Sequence, residues 1–453
     1  MNGQRSKILI MSVTESKQSS ASQRTVGVLG ATAIGIGGMV GGGIFAVLGV
    51  ASEMAGGATP IAFALAGVVA ALTAVAYARL SVRFQSAGGT VTFVDKVFGI
   101  NDLTGSLNII LWVGYIVTTA LYASAFGNYA VTLFPDSGSD MLLRILICVG
   151  VIMPWVINLA NAELVTRSES TVVAIKLAML MVVIAAGIPT VSVEHIGPST
   201  WSSPFSILAA GMLIFVAYEG FELIANASAE VKAPARTLPA AFALSVGLVI
   251  VLYVVIALVV VSALSAAEIA KYADFALAKA AAASLGQVGF VLVSVSAVLA
   301  TFSAINATLY GAARLSFTIA TEGELPSSLE KRTWNQPIGL HITSLVALAM
   351  AVALPVESIS ALASAIFLFV FAVVNAAAFK SADAGHWARY VAAAGVVGCV
   401  ASLVIVIMRS LTEDTIAMVV LVVLLMAALA AEHLILKAHR KPLGKNSEVS
   451  NQK

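Results

Sequence analysis

The amino-acid sequence predicts an all-α polytopic membrane protein, as indicated by its composition, its long apolar runs and its lack of a barrel pattern. Of the 453 residues, 60% are hydrophobic and 11% are charged, with a mean hydropathy of +0.99. A hydrocarbon core about 30 Å thick needs about 20 apolar residues per helix, and runs of that length recur along the chain. No alternating ten-residue pattern suggests a membrane barrel. A water-soluble domain is therefore not expected.

Charge and cysteine content narrow the expected partners. The net charge of +2 gives no indication of a nucleic-acid partner. Cys148 and Cys399 both lie in apolar runs, so neither a disulfide framework nor a metal site is indicated. The five histidines show no metal-ligand spacing. We expect no metal and no cofactor.

Twelve membrane spans are predicted, called span 1 to span 12 below, with mostly short loops between them. They cover residues 26–50, 58–80, 103–132, 141–158, 170–188, 205–229, 238–263, 285–311, 339–355, 358–379, 388–409 and 414–435. The longest loops are 81–102 and 312–338 on one side, and 189–204 and 264–284 on the other. This layout gives a transmembrane unit over 26–435, between polar tails at 1–25 and 436–453.

The distribution of basic residues predicts the orientation of the chain. Twenty lysines and arginines fall on one side of the layout and four on the other, and with Lys176 inside a span these account for all 25. Cytoplasmic loops carry the excess of basic residues in membrane proteins. We therefore expect a multi-pass protein of the cytoplasmic (inner) membrane with both termini cytoplasmic.

Span 1 concentrates glycine at its middle, in the stretch GIGGMVGGGIF (35–45). Glycine in a helix interior costs about 1 kcal/mol relative to alanine, so this pattern needs a reason. One interpretation is close helix packing, since Gly38 and Gly42 satisfy the GxxxG spacing. The other is an unwound backbone, favoured by the consecutive glycines at 41–43, which cover almost a full turn.

Span 6 contains a second irregularity, because Glu219 and Glu222 flank Gly220 within an apolar stretch. A carboxylate at mid-membrane is costly and usually faces a cavity. Spans 1 and 6 begin two successive five-span halves, and paired interruptions at corresponding places are typical of transporters with inverted repeats. Unwound backbone and half-helix ends offer charges of both signs, which suits a zwitterion.

At these residues the chain resembles members of the amino acid–polyamine–organocation (APC) superfamily of secondary transporters. The span 1 motif resembles the superfamily pattern G-x-G-x-x-[IV]-G-x-G-I-F, and FVAYEGFELIANASAEVKAPARTLP (215–239) is similar to its span 6 and following loop. Further agreement comes from SAGGTVTFV (86–94) and YGAARLSFTIATEGELP (310–326). The likeness covers residues 25–435.

The resemblance implies a five-plus-five inverted-repeat fold of the leucine-transporter type with two additional C-terminal helices. Repeat one would cover about 26–188, repeat two about 205–379, and the additional helices about 388–435. A small-molecule substrate, an amino acid or a related amine, would lie between spans 1 and 6, flanked by spans 3 and 8. The implied substrate-binding residues, including an aromatic gate at Phe215 or Tyr218, are Gly38, Val40, Gly41, Gly42, Gly43, Phe215, Val216, Ala217, Tyr218 and Glu219.

Lys176 in span 5 has two interpretations. From its position alone, the lysine could extend its ammonium back to the membrane interface. The resemblance implies instead that the ammonium replaces the sodium ion of sodium-coupled relatives, contacting a carbonyl near 35–37 and a span 8 hydroxyl at Thr301 or Ser303. Loss of its proton would then couple transport to protons.

Both carboxylates of span 6 also have two interpretations. Glu222 matches an acidic position that some acid-linked members use to sense or move protons, or it is a structural hydrogen-bond acceptor. Glu219 departs from the small residues common at its position. It would bind a substrate ammonium or stay protonated as a donor, which makes an amine or cationic amino acid a better candidate substrate.

These features predict a secondary transporter, coupled to protons or to substrate exchange and independent of sodium. A sodium-coupled symporter of the same fold is the main alternative, and a channel or non-transporting sensor is another. An enzyme is not expected, because no HExxH motif and no serine–histidine set is present.

Overall fold

A computed structural model describes residues 24–426, apart from 87, 100, 136–138, 161, 322–330, 335, 383–386 and 425. The predicted tails, except for residues 24 and 25, and the end of span 12 lie outside the described residues. The described chain is almost entirely helical, and a helix is present in each of the twelve predicted stretches. The all-α membrane class is therefore confirmed.

The ten spans other than 1 and 6 have the following helices, in chain order from span 2 to span 5 and then from span 7 to span 12. They are Thr59–Arg83, Asp102–Val131, Asp140–Ala160, Ala162–Gly187, Pro234–Ala263, Ala276–Thr321, Ile338–Ala353, Val356–Ser381, Trp387–Glu413 and Thr415–Leu424. The stretch of span 8 consists of two helices that meet at Gly286, where the backbone is non-helical and φ is +61°.

Length and composition qualify eight of the described helices to cross a membrane, or nine if the bent pair of span 1 is one crossing. Shorter apolar helices occupy parts of spans 5, 9 and 12, at Thr171–Gly187, Ile338–Ala353 and Thr415–Leu424. The number of twelve crossings therefore stays a prediction.

The predicted loops contain helices of their own. The loop 81–102 includes the helix Gly89–Phe98, and the loop 264–284 includes Ala266–Tyr272 and the start of the span 8 helix. Between spans 8 and 9, the short strands Arg332–Thr333 and Gln336–Pro337 pair in an antiparallel direction. The sequence predicts loops here because each of these segments is too short or too polar to cross a membrane.

Burial separates the inner spans from the outer ones. Spans 1, 3 and 6 are surrounded by other helices, whereas spans 4 and 11 expose large apolar side chains such as Met153 and Val397. In a bilayer such side chains face lipid, which is as apolar as they are. The two spans with irregular sequence thus lie at the centre of the bundle, where non-helical backbone is tolerated.

Candidate functional site

Span 1 is broken at its middle. One helix runs from Val28 to Met39, a second from Gly43 to Ala55, and the two are bent by 50°. Within the described part of the chain, the amides of Gly41 and Gly42 donate no hydrogen bond. These amides and the positive end of the second helix favour an anionic group such as a carboxylate.

The unwound segment of span 1 includes only some of the residues in the glycine-rich stretch 35–45. Gly35, Gly37 and Gly38 remain helical, and the irregular backbone is confined to residues 40–42. A Cβ atom at Gly35 would lie 2.8 Å from the Ser245 hydroxyl, and one at Gly37 would lie 2.9 Å from a Val173 methyl carbon. Both interpretations of the cluster therefore apply, with close packing before the break and unwinding within it.

Span 6 is also broken. Its α-helix covers Pro204–Leu213 and continues as a 3₁₀ turn through Ile214–Tyr218, after which Glu219 is extended and Gly220 has a φ of +116°. A short helix resumes at Leu223–Asn226. Only glycine adopts such a φ readily, so Gly220 fixes the position of the turn.

Two serines of span 10 stabilise the break in span 6. Ser360 and Ser364 both donate their hydroxyls to the Leu213 carbonyl oxygen, at 2.9 and 2.6 Å, and Ser364 Oγ accepts the Val216 amide at 2.9 Å. The end of a helix leaves such groups without partners. The two serines lie four residues apart on one helix face, and their hydroxyls supply hydrogen-bond partners for the groups at this helix end.

The two breaks are in direct backbone contact. A Cβ at Gly38 would lie 2.5 Å from the Gly220 carbonyl oxygen, and a Cβ at Gly43 would lie 2.8 Å from Ala217 Cα. Both distances are shorter than any real Cβ tolerates, so glycine is required at these positions. The helix ends that border the break of span 1 thus contact the break of span 6 at closest approach, with no open space between them.

Tyr253 of span 7 lies between the two breaks. Its hydroxyl is 2.6 Å from the Met39 carbonyl oxygen and 3.2 Å from that of Ala217, so that its single proton is shared between two freed carbonyls. The Val216 carbonyl accepts the Glu219 amide at 3.0 Å. Val216 and Ala217 are among the substrate-binding residues that the resemblance implies, and in this conformation both of their carbonyls accept hydrogen bonds from the protein.

Glu219 and Glu222 are buried side by side in span 6, 5% and 1% exposed, and interact electrostatically. The Tyr122 hydroxyl of span 3 donates to Glu219 Oε2 at 3.1 Å, and the Gly220 amide donates to Glu222 Oε2 at 2.8 Å. Glu222 Oε1 has no hydrogen-bond partner among the described residues. A carboxyl group buried in this position is stable only if a cation pairs with its negative charge or a proton neutralises it.

The aromatic residues of span 6 are built into the helix packing. Phe215 packs edge-on against Phe371 of span 10, with ring centroids 5.9 Å apart. Tyr218 donates its hydroxyl to the Phe63 carbonyl at 2.9 Å and packs against Tyr253. Both side chains are fully buried. A gating role for either residue stays a prediction.

Lys176 contacts a carbonyl of span 1, as the resemblance implied. Its side chain is 2% exposed, and its ammonium donates a hydrogen bond to the Gly37 carbonyl oxygen at 3.0 Å. A side chain this buried does not extend to the membrane interface. Thr301 Oγ1 donates to carbonyls of its own helix, at Ala297 and Val298, and Ser303 is half-buried. The roles of these span 8 residues stay predictions.

Comparison with known proteins identifies the family. The model of the amino acid permease family, part of the APC superfamily, matches residues 26–428. The chain belongs to this family. The inner membrane transport protein YbaT of Escherichia coli is 36% identical over 359 residues, covering 79% of this chain and 84% of that protein. The large neutral amino acids transporter small subunit 2 of Oryctolagus cuniculus is 29% identical, covering 68% and 60%.

A solved structure supports the fold of this permease. A manganese transporter from Eremococcus coleocola superposes with a TM-score of 0.60 over 92% of this chain and 95% of that one, at 10% identity. This likeness extends to the fold alone. Family and relatives together confirm a membrane transporter rather than an enzyme.

Sequence reasoning missed four residues around the two breaks of this permease. Tyr122, Tyr253, Ser360 and Ser364 all form hydrogen bonds to residues of span 1 or span 6. The only signal for the serines is their four-residue spacing in span 10. The tyrosines carry no local signal, because an aromatic residue in a span is most often a packing residue.

Proposed function

We propose that this permease is a secondary active transporter that moves an amino acid or a related amine across the cytoplasmic membrane by alternating access. The observation that carries the proposal is the direct contact between the helix ends that border the break of span 1 and the break of span 6, Gly38 against Gly220 and Gly43 against Ala217. Opening these contacts would expose unpaired amides of span 1 and carbonyls of span 6, which suit a substrate with a carboxylate and an amino group.

The proposed architecture is the five-plus-five inverted repeat with two additional helices, twelve crossings and cytoplasmic termini. It is supported by a helix in each predicted stretch, by breaks in the first span of each half, and by the asymmetry of basic residues. The proposed substrate site consists of the two breaks, with repeat one at about 26–188 and repeat two at about 205–379.

Lys176 supports coupling without sodium. Its ammonium bonds to the Gly37 carbonyl, in the region where the resemblance implies that sodium-coupled relatives bind the ion. Two cations in one buried place would repel each other strongly. We therefore propose transport driven by protons or by counterflow of a second substrate.

The acidic pair supports a substrate with an amino group. Among the residues whose burial the structure describes, which leaves out 102 and 160–170, the buried Asp, Glu, Lys and Arg side chains are Lys176, Glu219 and Glu222. Lys176 bonds to span 1, whereas both carboxylates lie at the break of span 6. A substrate ammonium next to Glu219 would restore charge balance there, which is a requirement in a low-dielectric site.

Reconstitution tests this function. Purified protein in liposomes is assayed with a labelled amino acid, with and without an inward proton gradient, with and without sodium, and against a panel of unlabelled amino acids and amines. Liposomes containing Gly42→Leu are the control, since any side chain there collides with the Tyr122 ring. We expect saturable uptake that is sodium-independent. Strict sodium dependence would contradict the coupling, and undiminished uptake by Gly42→Leu would contradict the site.

A further inference from the structure

A cavity of about 330 Å³ lies away from the helix breaks, where spans 2, 7 and 10 end on the same side of the bundle. Its described lining is basic or uncharged and contains no acidic residue: Arg79, Leu80, Val82, Arg83, Ala235, Pro239, Ala378 and Ser381. The transport function proposed above uses none of these residues.

Two guanidinium groups give this cavity its chemistry. Arg83 donates one N–H to the Ser381 carbonyl at 2.6 Å, which fixes the side chain between spans 2 and 10. A guanidinium has five N–H donors, so this bond uses only one of them. The helix of span 7 starts at Pro234 beside Ala235, and its positive end adds to the field of the two arginines. A phosphate group is the ligand that such a set of donors prefers.

The surface next to the cavity is apolar and continuous with the lipid-facing side of the bundle. On span 2, Ile61, Val68 and Arg79 recur at intervals of seven and eleven residues, which places them on one helix face. Ile61 and Val68 are 37% and 58% exposed. On span 7, Pro239 is followed at four-residue intervals by Ala243 and Gly247, which are also exposed. A charged group in the cavity would therefore have small and apolar surface along both helices.

We propose that this cavity binds the phosphate headgroup of an anionic phospholipid from the cytoplasmic leaflet, with an acyl chain along spans 2 and 7. Basic pockets between helix ends on the cytoplasmic side are suited to acidic headgroups. The apolar surface beside the cavity favours a lipid over a free phosphate ion, which would gain nothing from it.

Native mass spectrometry of the detergent-purified full chain tests the proposal. Phosphatidylglycerol and phosphatidylcholine with the same acyl chains are added separately, and the bound fractions are titrated. Arg79→Gln and Arg83→Gln are compared with Arg314→Gln, an exposed arginine on the same side that does not line the cavity. We expect tighter phosphatidylglycerol binding by the unmodified chain, weakened about fivefold by each cavity variant, which corresponds to about 1 kcal/mol.

A further variant, Ala235→Trp, and a thermal unfolding measurement distinguish loss of the lipid site from loss of folding. Ala235→Trp fills the cavity from an exposed position and keeps both arginines, so it should also lose phosphatidylglycerol selectivity. Thermal unfolding in phosphatidylcholine checks that each variant folds. The proposal would be overturned if the cavity variants bound phosphatidylglycerol as tightly as the unmodified chain. It would also be overturned if Arg314→Gln weakened this binding as much as the cavity variants do. Competition by millimolar inorganic phosphate that abolishes lipid binding would indicate a free-anion site instead. None of these outcomes depends on the transport function.

Discussion

The Lys176 ammonium of span 5 donates a hydrogen bond to the Gly37 carbonyl oxygen, 3.0 Å away in the first half of span 1. This bond joins a helix of the surrounding bundle to the segment that ends in the break at residues 40–42. A charged donor forms the stronger hydrogen bond, so under the proposed proton coupling, loss of the lysine proton would weaken the contact that holds this half-helix.

Lys176→Met should therefore strongly reduce coupled transport. The substitution keeps the length of the side chain but leaves a buried carbonyl without its donor, at a cost of about 1–3 kcal/mol. We expect proton-driven uptake in liposomes to fall by about tenfold or more. Lys380→Met is the matched control, because Lys380 also donates to a carbonyl, that of Val97 at 3.1 Å, but at an exposed position. Equal activity of the two variants would refute a coupling role for Lys176.

Alanine at Gly43 should disturb the contact between the breaks. Its Cβ would lie 2.8 Å from Ala217 Cα, a backbone atom that cannot rotate away. Overpacking of this kind costs about 1–3 kcal/mol. We expect a lower unfolding temperature and a loss of uptake in Gly43→Ala. Gly247→Ala in span 7 is the control, since no atom lies within 4 Å of its Cβ, and it should leave both measurements unchanged or raise stability slightly.

The sequence was sufficient for the features that depend on local pattern. Apolar run length predicted where the helices lie, consecutive glycines predicted the break in span 1, and Glu219 with Gly220 predicted that in span 6. The contact of Lys176 with a carbonyl at 35–37 came from the resemblance and is present.

Features that depend on packing between distant segments could not be predicted from one sequence. Ser364 and Leu213 are 151 residues apart, and Tyr253 and Met39 are 214 apart. The sequence also left open which glycines of span 1 serve packing and which serve unwinding. Gly35 is helical and lies so close to Ile224 and Ser245 that a Cβ would not fit, and glycine composition alone does not distinguish such packing from unwinding.

Tyr253→Phe should weaken transport while preserving the fold. The change removes one hydroxyl, which is within hydrogen-bonding distance of the Met39 and Ala217 carbonyl oxygens, at 2.6 and 3.2 Å. Without it, two freed carbonyls at the breaks lose a shared donor, at a cost of about 1–3 kcal/mol. Counterflow rates in liposomes should drop several-fold with little change in protein yield.

Tyr218→Phe provides the comparison for that variant. Tyr218 is equally buried and also donates to a carbonyl, but its partner is Phe63 in the unbroken span 2. We expect it to affect thermal stability more than counterflow. If both variants slowed counterflow to the same extent, the hydrogen bonds of the Tyr253 hydroxyl to the two breaks would have no specific part in transport.

Glu219→Gln should change which substrates compete for uptake. Glu219 is buried at the break of span 6 and accepts a hydrogen bond from Tyr122, which glutamine can preserve. The neutral amide removes the charge that would pair with a substrate ammonium, so inhibition by amines and cationic amino acids should weaken by about tenfold relative to neutral amino acids. Tyr122→Phe removes the hydrogen bond but keeps the charge, and should leave this ratio unchanged. A competition ratio that shifts in Tyr122→Phe but not in Glu219→Gln would mean that the geometry of the site, rather than its charge, selects the substrate.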